Sequence, residues 1–322
     1  MNSNCRNYFC PLAAKWTLDI TAIINVKLKI MDRYNEALKA SAVTEDDALV
    51  ASKVAEILEK VPEYESKEVY KFLLNSVDLT TLQTEDSELS VAKFTTRVND
   101  FDNDYPQYGH VAAICVYSNF VEVVKTHLDV PGVDVCVVAA GFPSSQTFQA
   151  VKVADCALAV EAGAQEVDIV FPVGMYLDGN YEDLCDEIIE LKHTVKKAKL
   201  KVILETGLLK TARRIKEASI LSMYCDADFV KTSTGKVYSG ASFEAAYVMC
   251  QFIKEYYEKT GRKVGFKAAG GVRSTADAMG YYAIVKEVLG DEWLCHDLFR
   301  LGASSLANKL LSSLEGTEVK YF

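Results

Sequence analysis

The sequence has no C-x-x-C pair, no cluster of histidines and no apolar run long enough to cross a bilayer. Each absence removes a class of function. Nine cysteines without paired or zinc-type spacing indicate neither a disulfide framework nor a zinc site. Cys5 and Cys10 are neighbours near the start, and the other seven are scattered through apolar segments, which reads as buried thiols in a reducing compartment. His110, His127, His193 and His296 stand apart, so no metal is expected. The stretch "WTLDITAIINVKLKI" is interrupted by Asp19, Lys27 and Lys29 and falls short of a membrane span. Basic residues are outnumbered, 35 Lys and Arg against 45 Asp and Glu, for a formal net charge of −10. That balance argues against nucleic acid or an anionic membrane as the main partner, yet leaves room for a locally positive site that takes an anionic substrate. The first thirty residues are poor in acids, a weak mark of an organellar transit segment, but an N-terminal extension on a cytoplasmic protein is the preferred reading.

What is present is a repeat. From about Leu73 onward, eight short apolar runs alternate with helical stretches: "LLNSVDL", "HVAAICVYS", "VDVCVVAAG", "EVDIVFPV", "KVILETG", "ADFVKTS", "KVGFKAAGG" and "LFRLGASS". Marker residues Val135, Val167, Val202, Phe229, Gly265 and Phe299 recur at the length of one βαβ unit, roughly 30 residues or more. Near-continuous Val, Ile and Phe runs fit parallel strands covered on both faces. The stretch "SSQTFQAVKVADCALAVEAGA" opens on serines able to cap a helix and ends at Gly163. "SFEAAYVMCQFIKEYYEKTG" and "STADAMGYYAIVKEVLG" carry the same start and stop signals. Eight such units predict an α/β fold, a closed (β/α)8 TIM barrel over residues 66–322, with an open doubly wound sheet as the alternative. Residues 1–65 lie outside the repeat and read as an N-terminal helical extension. Its charged amphipathic helices would cover the bottom or side of the barrel or mediate self-association, and the oligomeric state stays open.

In such a barrel, side chains at the C-terminal ends of the strands point into the active site. Asp78 ends "NSVD", Asp168 sits in "EVDIVF", Lys231 ends "DFVK" and Lys267 ends "VGFK". Lys231 and Lys267 are 36 residues apart, one repeat, and so occupy equivalent positions on adjacent strands about 4.8 Å apart. Crowding two ammonium groups favours loss of one proton, and a neutral amine condenses with an aldehyde to an imine. One such lysine would read as a structural ion pair. Two of them, beside an acid and at these strand ends, read as chemistry. Cys115 ends the second strand and either lines the pocket or is a buried apolar thiol.

Glycines and hydroxyls follow the last three of these strands. "TSTGK" gives Gly235 and Lys236, "AAGGVRS" gives Gly270, Gly271 and Arg273, and "LGASS" gives Gly302, Ser304 and Ser305. Glycine lets backbone N–H groups close on an anion, and barrels commonly hold phosphate after strands seven and eight. Three such loops in succession predict a phosphorylated small-molecule substrate.

The segments "DFVKTSTGK", "VGFKAAGGVRS", "EVDIVFPVG" and "LGASS" resemble the signature segments of the 2-deoxyribose-5-phosphate aldolases, class I enzymes with a (β/α)8 fold. Supporting similarity runs from about Ser76 to Leu311, in order and without large gaps, and the N-terminal extension is similar to that of eukaryotic members. The resemblance implies that Lys231 forms the Schiff base, Lys267 is the second lysine of the site and Asp168 relays the proton. It also matches Asp78 and Lys201 to polar positions of the family's site, with a strand-end salt bridge as the alternative reading of each, and it implies no metal or organic cofactor, because the protonated imine is itself the electron sink. The expected reaction is reversible cleavage of 2-deoxy-D-ribose 5-phosphate to D-glyceraldehyde 3-phosphate and acetaldehyde. One departure is Ala268, where the family usually has proline. Transaldolases and fructose-bisphosphate aldolases, which handle ketoses, carry different signatures, and a non-catalytic phosphosugar-binding scaffold is the rival from another class. Tyr321, in the tail "EVKYF", either folds over the mouth or lies in a free end.

Overall fold

The computed structural model describes residues 20–322; Cys5, Cys10 and most of the acid-poor start lie outside the described residues. Among the described residues, four helices precede the first strand: α1 (Ile20–Ala40), α2 (Asp47–Leu58), α3 (Val61–Tyr64) and α4 (Lys67–Asn75). The first half of the repeat runs β1 (Val77–Thr80), α5 (Glu88–Asp104), β2 (Ala113–Tyr117), α6 (Val121–His127), β3 (Asp134–Val138), α7 (Gln149–Ala162) and β4 (Glu166–Val170). It continues with α8 (Val173–Leu177), α9 (Tyr181–Val195), β5 (Lys199–Ile203), α10 (Thr206–Leu209), α11 (Ala212–Tyr224) and β6 (Phe229–Lys231). The last part is α12 (Phe243–Thr260), β7 (Gly265–Ala269), α13 (Thr275–Leu289), β8 (Phe299–Ala303) and α14 (Leu306–Glu315).

The eight strands form one closed parallel barrel in chain order, β8 pairing back onto β1. Closure removes the open sheet edges that the doubly wound alternative would leave. Side chains alternate across each strand. One set, including Leu79, Ile114, Val137, Val167, Val202, Phe266 and Leu301, belongs to the apolar layer shared with the helices and is wholly buried. Burying one such side chain stabilises by about 1.5–3 kcal/mol. The other set points inward and includes the buried charged residues Asp78, Glu166, Asp168, Lys201, Lys231, Lys267 and Arg300. Inside the barrel, a small separate apolar cluster of Leu82, Ala113, Cys115, Cys136 and Val138 forms the wall on the β2–β3 side. At the floor, Gly265 leaves space for the inward ring of Phe229, which a Cβ there would approach to 2.3 Å.

Helix boundaries follow their caps. Ser242 accepts from Ala245 N at the start of α12, and Ser274 with Asp277 forms a reciprocal capping box on α13. The serines expected to cap α7 do not. That helix starts after Phe148 without a side-chain cap, because the turn leaving β3 consumes the preceding residues. Ser145 takes a left-handed backbone (φ 59°), and its hydroxyl accepts from Lys152 Nζ at 2.9 Å.

The N-terminal helices lie against the outer side of the barrel: α1 packs on α11, α2 on α12 and α13, and α4 on α14. The proposed division at residue 65 falls between α3 and α4. Among the described residues, no helix is long and apolar enough to cross a membrane.

Candidate active site

Strand register brings the charged residues together. Lys231 pairs with Lys267 across β6 and β7, and Asp168 pairs with Lys201 across β4 and β5. All four side chains point into the barrel, Lys231 from the C-terminal end of β6 and Asp168, Lys201 and Lys267 from the middle of their strands, not from the strand ends that the sequence suggested for Asp168 and Lys267. Lys231 Nζ donates to Asp168 Oδ2 at 2.7 Å, and Lys267 Nζ donates to the same oxygen at 2.8 Å. Lys201 Nζ takes the other oxygen, Oδ1, at 3.1 Å. Asp168 therefore sits under three amines. Burial alone would raise its pKa, but Lys201, Lys231 and Lys267 overcome that and hold it well below the usual carboxylate range.

The two buried lysines keep their protons. Burial disfavours the charge on Lys267, yet Asp168 and Asp78, the latter 2.5 Å away, outweigh it and raise its pKa. Lys201 is raised likewise against burial by Asp168, Cys136 and Glu166, and it also lies 3.6 Å from Asp78. Asp78 is pushed up by burial and pulled further down by Lys267, Arg300 and Lys201, with a net lowering. Asp78 and Lys201 are thus direct members of the ion cluster.

Lys231 differs from its neighbours in one respect: it reaches a cavity. A space of about 240 Å³ at the barrel mouth is lined by Lys231 together with Gly235, Lys236, Gly270, Gly271, Arg273, Gly302, Ser304 and Ser305. Every residue predicted to bind phosphate is therefore in the same cavity as the predicted nucleophile, whereas Lys201 and Lys267 are fully buried beneath it. Gly270 and Gly271 have φ of +77° and +86°, a backbone that a residue with a Cβ adopts only under strain. Gly302 serves differently: a Cβ there would lie 3.0 Å from Lys267 Cε, so its absence leaves room for the lysine stem. Helix α14 starts at the cavity without a side-chain cap, leaving its first N–H groups for an anion, whereas α13 is already capped by Ser274. Across the mouth, Lys236 Nζ donates to the Leu82 carbonyl. Two larger cavities, about 430 and 600 Å³, lie between the N-terminal helices and the barrel helices, away from the lysine cluster.

Cys115 belongs to the apolar inner wall and pairs in register with Cys136. A hydrogen bond from Cys136 lowers the Cys115 pKa against the effect of burial. Cys136 Sγ in turn contacts Asp168 Oδ1 at 3.3 Å and Lys201 Nζ at 3.2 Å. Cys115, Cys136 and Asp168, like Asp78, Cys136 and Glu166, bring three donor atoms close together. Ammonium groups already occupy these carboxylates, so the donor set suits fixed cations better than a metal ion.

Sequence reasoning missed Glu166, Arg300 and Cys136. Glu166 accepts from Lys201 and, through both oxygens, from Arg300 at 2.9 and 3.1 Å; Arg300 also binds Asp78 Oδ1 at 2.6 Å. The signal for Glu166 was available, since it precedes Asp168 by two residues and shares its face. An arginine inside the apolar run "LFRLGA" was the matching signal for Arg300. Tyr321 neither covers the mouth nor hangs free. Its hydroxyl donates to Asp104 Oδ2 at 2.7 Å, and its ring packs on Phe101 and Tyr105. Asp104 ends α5, while Asn308 in the first turn of α14 holds the tail's backbone, so the tail lies between these two helices.

Comparison with known proteins finds similarity to aldolases. The profile of the DeoC/LacD family aldolases matches residues 72–287. The chain is 40% identical to human deoxyribose-phosphate aldolase over 245 residues, which is 73% of this chain and 77% of that protein. The mouse deoxyribose-phosphate aldolase gives the same identity and coverage. Among solved structures, an aldolase called QR15 superposes with a TM-score of 0.61 at 26% identity, covering 76% of this chain and 96% of its own.

Proposed function

The chain belongs to the DeoC/LacD family of aldolases, and on that premise we propose that it cleaves 2-deoxy-D-ribose 5-phosphate reversibly to D-glyceraldehyde 3-phosphate and acetaldehyde, with Lys231 as the Schiff-base lysine. The observation that carries this reading is the shared cavity: the one lysine of the cluster that lines it stands beside three glycine- and serine-bearing loops suited to phosphate.

In this reading the phosphate sits against Gly270, Gly271, Ser304, Ser305 and the start of α14, with Lys236 and Arg273 adding positive charge. That directs the C1 aldehyde of the open-chain sugar toward Lys231. The amine adds to C1, water leaves and a protonated imine forms. Asp168, kept anionic by its three lysines, accepts the C3 hydroxyl proton through a water, and Lys267 supplies a fixed positive charge beside it. The C2–C3 bond breaks, its electron pair moves toward the imine nitrogen as an enamine, and D-glyceraldehyde 3-phosphate departs. Protonation of the enamine at C2 and hydrolysis of the imine release acetaldehyde and restore Lys231. The described cysteines are free and mostly buried, which supports a reducing compartment and with it a cytoplasmic location.

Acetaldehyde release from 2-deoxyribose 5-phosphate, compared with unphosphorylated 2-deoxyribose, tests the reading. Rapid release from the phosphate ester and a KM at least about 100-fold higher for the free sugar are expected, given the strength of charge-assisted anion contacts. A protein that binds the ester and releases no acetaldehyde would be the scaffold instead.

A further inference from the structure

Just past the end of β5, Glu205 has a left-handed backbone, φ 57° and ψ 58°, and its side chain does not cap the short helix α10 that follows. A residue with a Cβ stays in that conformation only where its surroundings over-determine it. The side chain is 4% exposed and is bound to the loop that leaves β6. Its Oε2 accepts from the Thr234 hydroxyl at 2.6 Å, and its Oε1 accepts from the Thr234 N–H at 3.3 Å. Among the described residues, the carboxyl group has no other hydrogen bond and joins no ion pair. A carboxyl group buried for a single threonine directs attention to what that threonine holds.

Thr234 passes the contact on. With its proton directed at Glu205, the hydroxyl accepts from the Lys236 N–H at 3.2 Å, which closes a tight turn around Gly235 (φ +74°). Beyond the turn, the Lys236 side chain reaches the Leu82 carbonyl across the mouth. The turn also leans on the loop after β7, since a Cβ at Gly270 would lie 3.1 Å from Gly235 Cα. Thr234, Gly235, Lys236 and Gly270 line the cavity with Lys231, whereas Glu205 does not. Lys231 is held independently of this chain of contacts. Its carbonyl accepts from the Leu204 N–H at 2.8 Å, and the next residue, Thr232, donates its N–H to the Lys267 carbonyl at 3.0 Å.

We infer that Glu205 is a positioning residue for the phosphate end of the substrate: acting through Thr234, it fixes the turn at Gly235 and Lys236 against the β7 loop and so sets the preference for a phosphorylated sugar over a free one. Its carboxyl group bonds no member of the lysine cluster, so its effect falls on the phosphate end and not on the amine. The inference rests on the proposed cleavage of 2-deoxyribose 5-phosphate.

The test is kcat/KM for acetaldehyde release from 2-deoxyribose 5-phosphate and from 2-deoxyribose, measured side by side. Glu205→Ala should cost the phosphorylated sugar about tenfold more than the free sugar, chiefly through KM, as expected for losing one or two buried hydrogen bonds. Glu205→Gln, whose carbonyl still accepts from the hydroxyl, should keep most of the preference. Thr234→Ala should narrow the preference as Glu205→Ala does, and Thr234→Ser, which retains the hydroxyl, should restore it. Combining Glu205→Ala with Thr234→Ala should be no worse than the more damaging single change, because both break the same connection. Because Glu205→Ala can fail to fold, Thr234→Ala and Thr234→Ser decide the matter in that event. Equal losses for the two sugars, additive losses in the double variant, or an unmoved preference overturns the inference. An unsubstituted protein that releases acetaldehyde from neither sugar would overturn the proposed function itself, and the inference with it.

Discussion

Lys231 and Lys267 stand directly opposite each other in the β6–β7 pairing, yet they are not equivalent. Lys267 is completely buried between Asp78 and Asp168, whereas Lys231 retains 4% exposure and faces the cavity. Position makes one a fixed charge and the other a reachable amine.

Substituting the two lysines should therefore give different losses. Lys231→Met removes the nucleophile and should reduce acetaldehyde release to background, and Lys231→Arg should not rescue it, because a guanidinium stays protonated. Lys267→Met removes a charge that assists proton transfer and should cost about 10²–10⁴-fold in kcat while leaving slow imine formation at Lys231. Residual turnover in Lys231→Met that exceeds that of Lys267→Met would reverse the roles.

Two glycines at the mouth should fail in distinguishable ways. Gly302 has no positive φ, but a Cβ there would lie 3.0 Å from both Lys267 Cε and Ala269 Cβ. Gly302→Ala should lower kcat by displacing the lysine. Gly271 has φ +86° and nothing within 4 Å of an added Cβ, so Gly271→Ala strains only the backbone, by about 1–2 kcal/mol, and should chiefly raise KM for the phosphorylated sugar. Steady-state kinetics on the two variants separates the effects, and identical changes in both would contradict the assignment.

Acid should weaken the fold through the carboxylate cluster. Asp78, Glu166 and Asp168 all have folded pKa values below their ordinary ones despite burial, because lysines and Arg300 surround them. A depressed carboxylate adds stability above its unfolded pKa, about 4, and loses that contribution as pH falls toward the folded value. The urea midpoint should fall steeply below about pH 4, and Asp168→Asn should flatten that fall while costing about 3–5 kcal/mol at neutral pH. An acid arm as steep in Asp168→Asn as in the unsubstituted protein would place the responsible groups elsewhere.

The C-terminal tail should matter to stability and not to turnover. Tyr321 and Phe322 pack against Phe101, and their backbone N–H groups both donate to Asn308 Oδ1 in the first turn of α14, while neither residue lines the mouth cavity. Deleting residues 321 and 322 should lower Tm by several degrees, at about 2–4 °C per kcal/mol for a chain of this size, with kcat/KM unchanged. A large drop in kcat with unaltered Tm would show that the tail visits the active site.

The barrel was legible because each strand is a compact run of β-branched and aromatic residues, repeated at the βαβ period. The site was legible where spacing alone aligned residues, as for Lys231 and Lys267, one repeat apart. Partnerships were harder. Arg300 meets Glu166 and Asp78 across 134 and 222 residues of chain, and no local pattern encodes such a contact. Asp78 and Lys201 were visible only as strand-end charges, since their place in the cluster depends on barrel closure. The Ser144–Ser145 pair misled because capping propensity is local, while the turn out of β3 is set by the backbone it must follow. Tyr321 was ambiguous for a similar reason: its docking partner, Asp104, lies on the first helix of the repeat.

The most direct measurement is mass spectrometry of the protein after reduction with borohydride in the presence of acetaldehyde. The peptide carrying Lys231 should gain one ethyl group as an irreversible secondary amine, and this should be lost in Lys231→Met. An unmodified protein, or an adduct confined to the Lys267 peptide, would contradict the account.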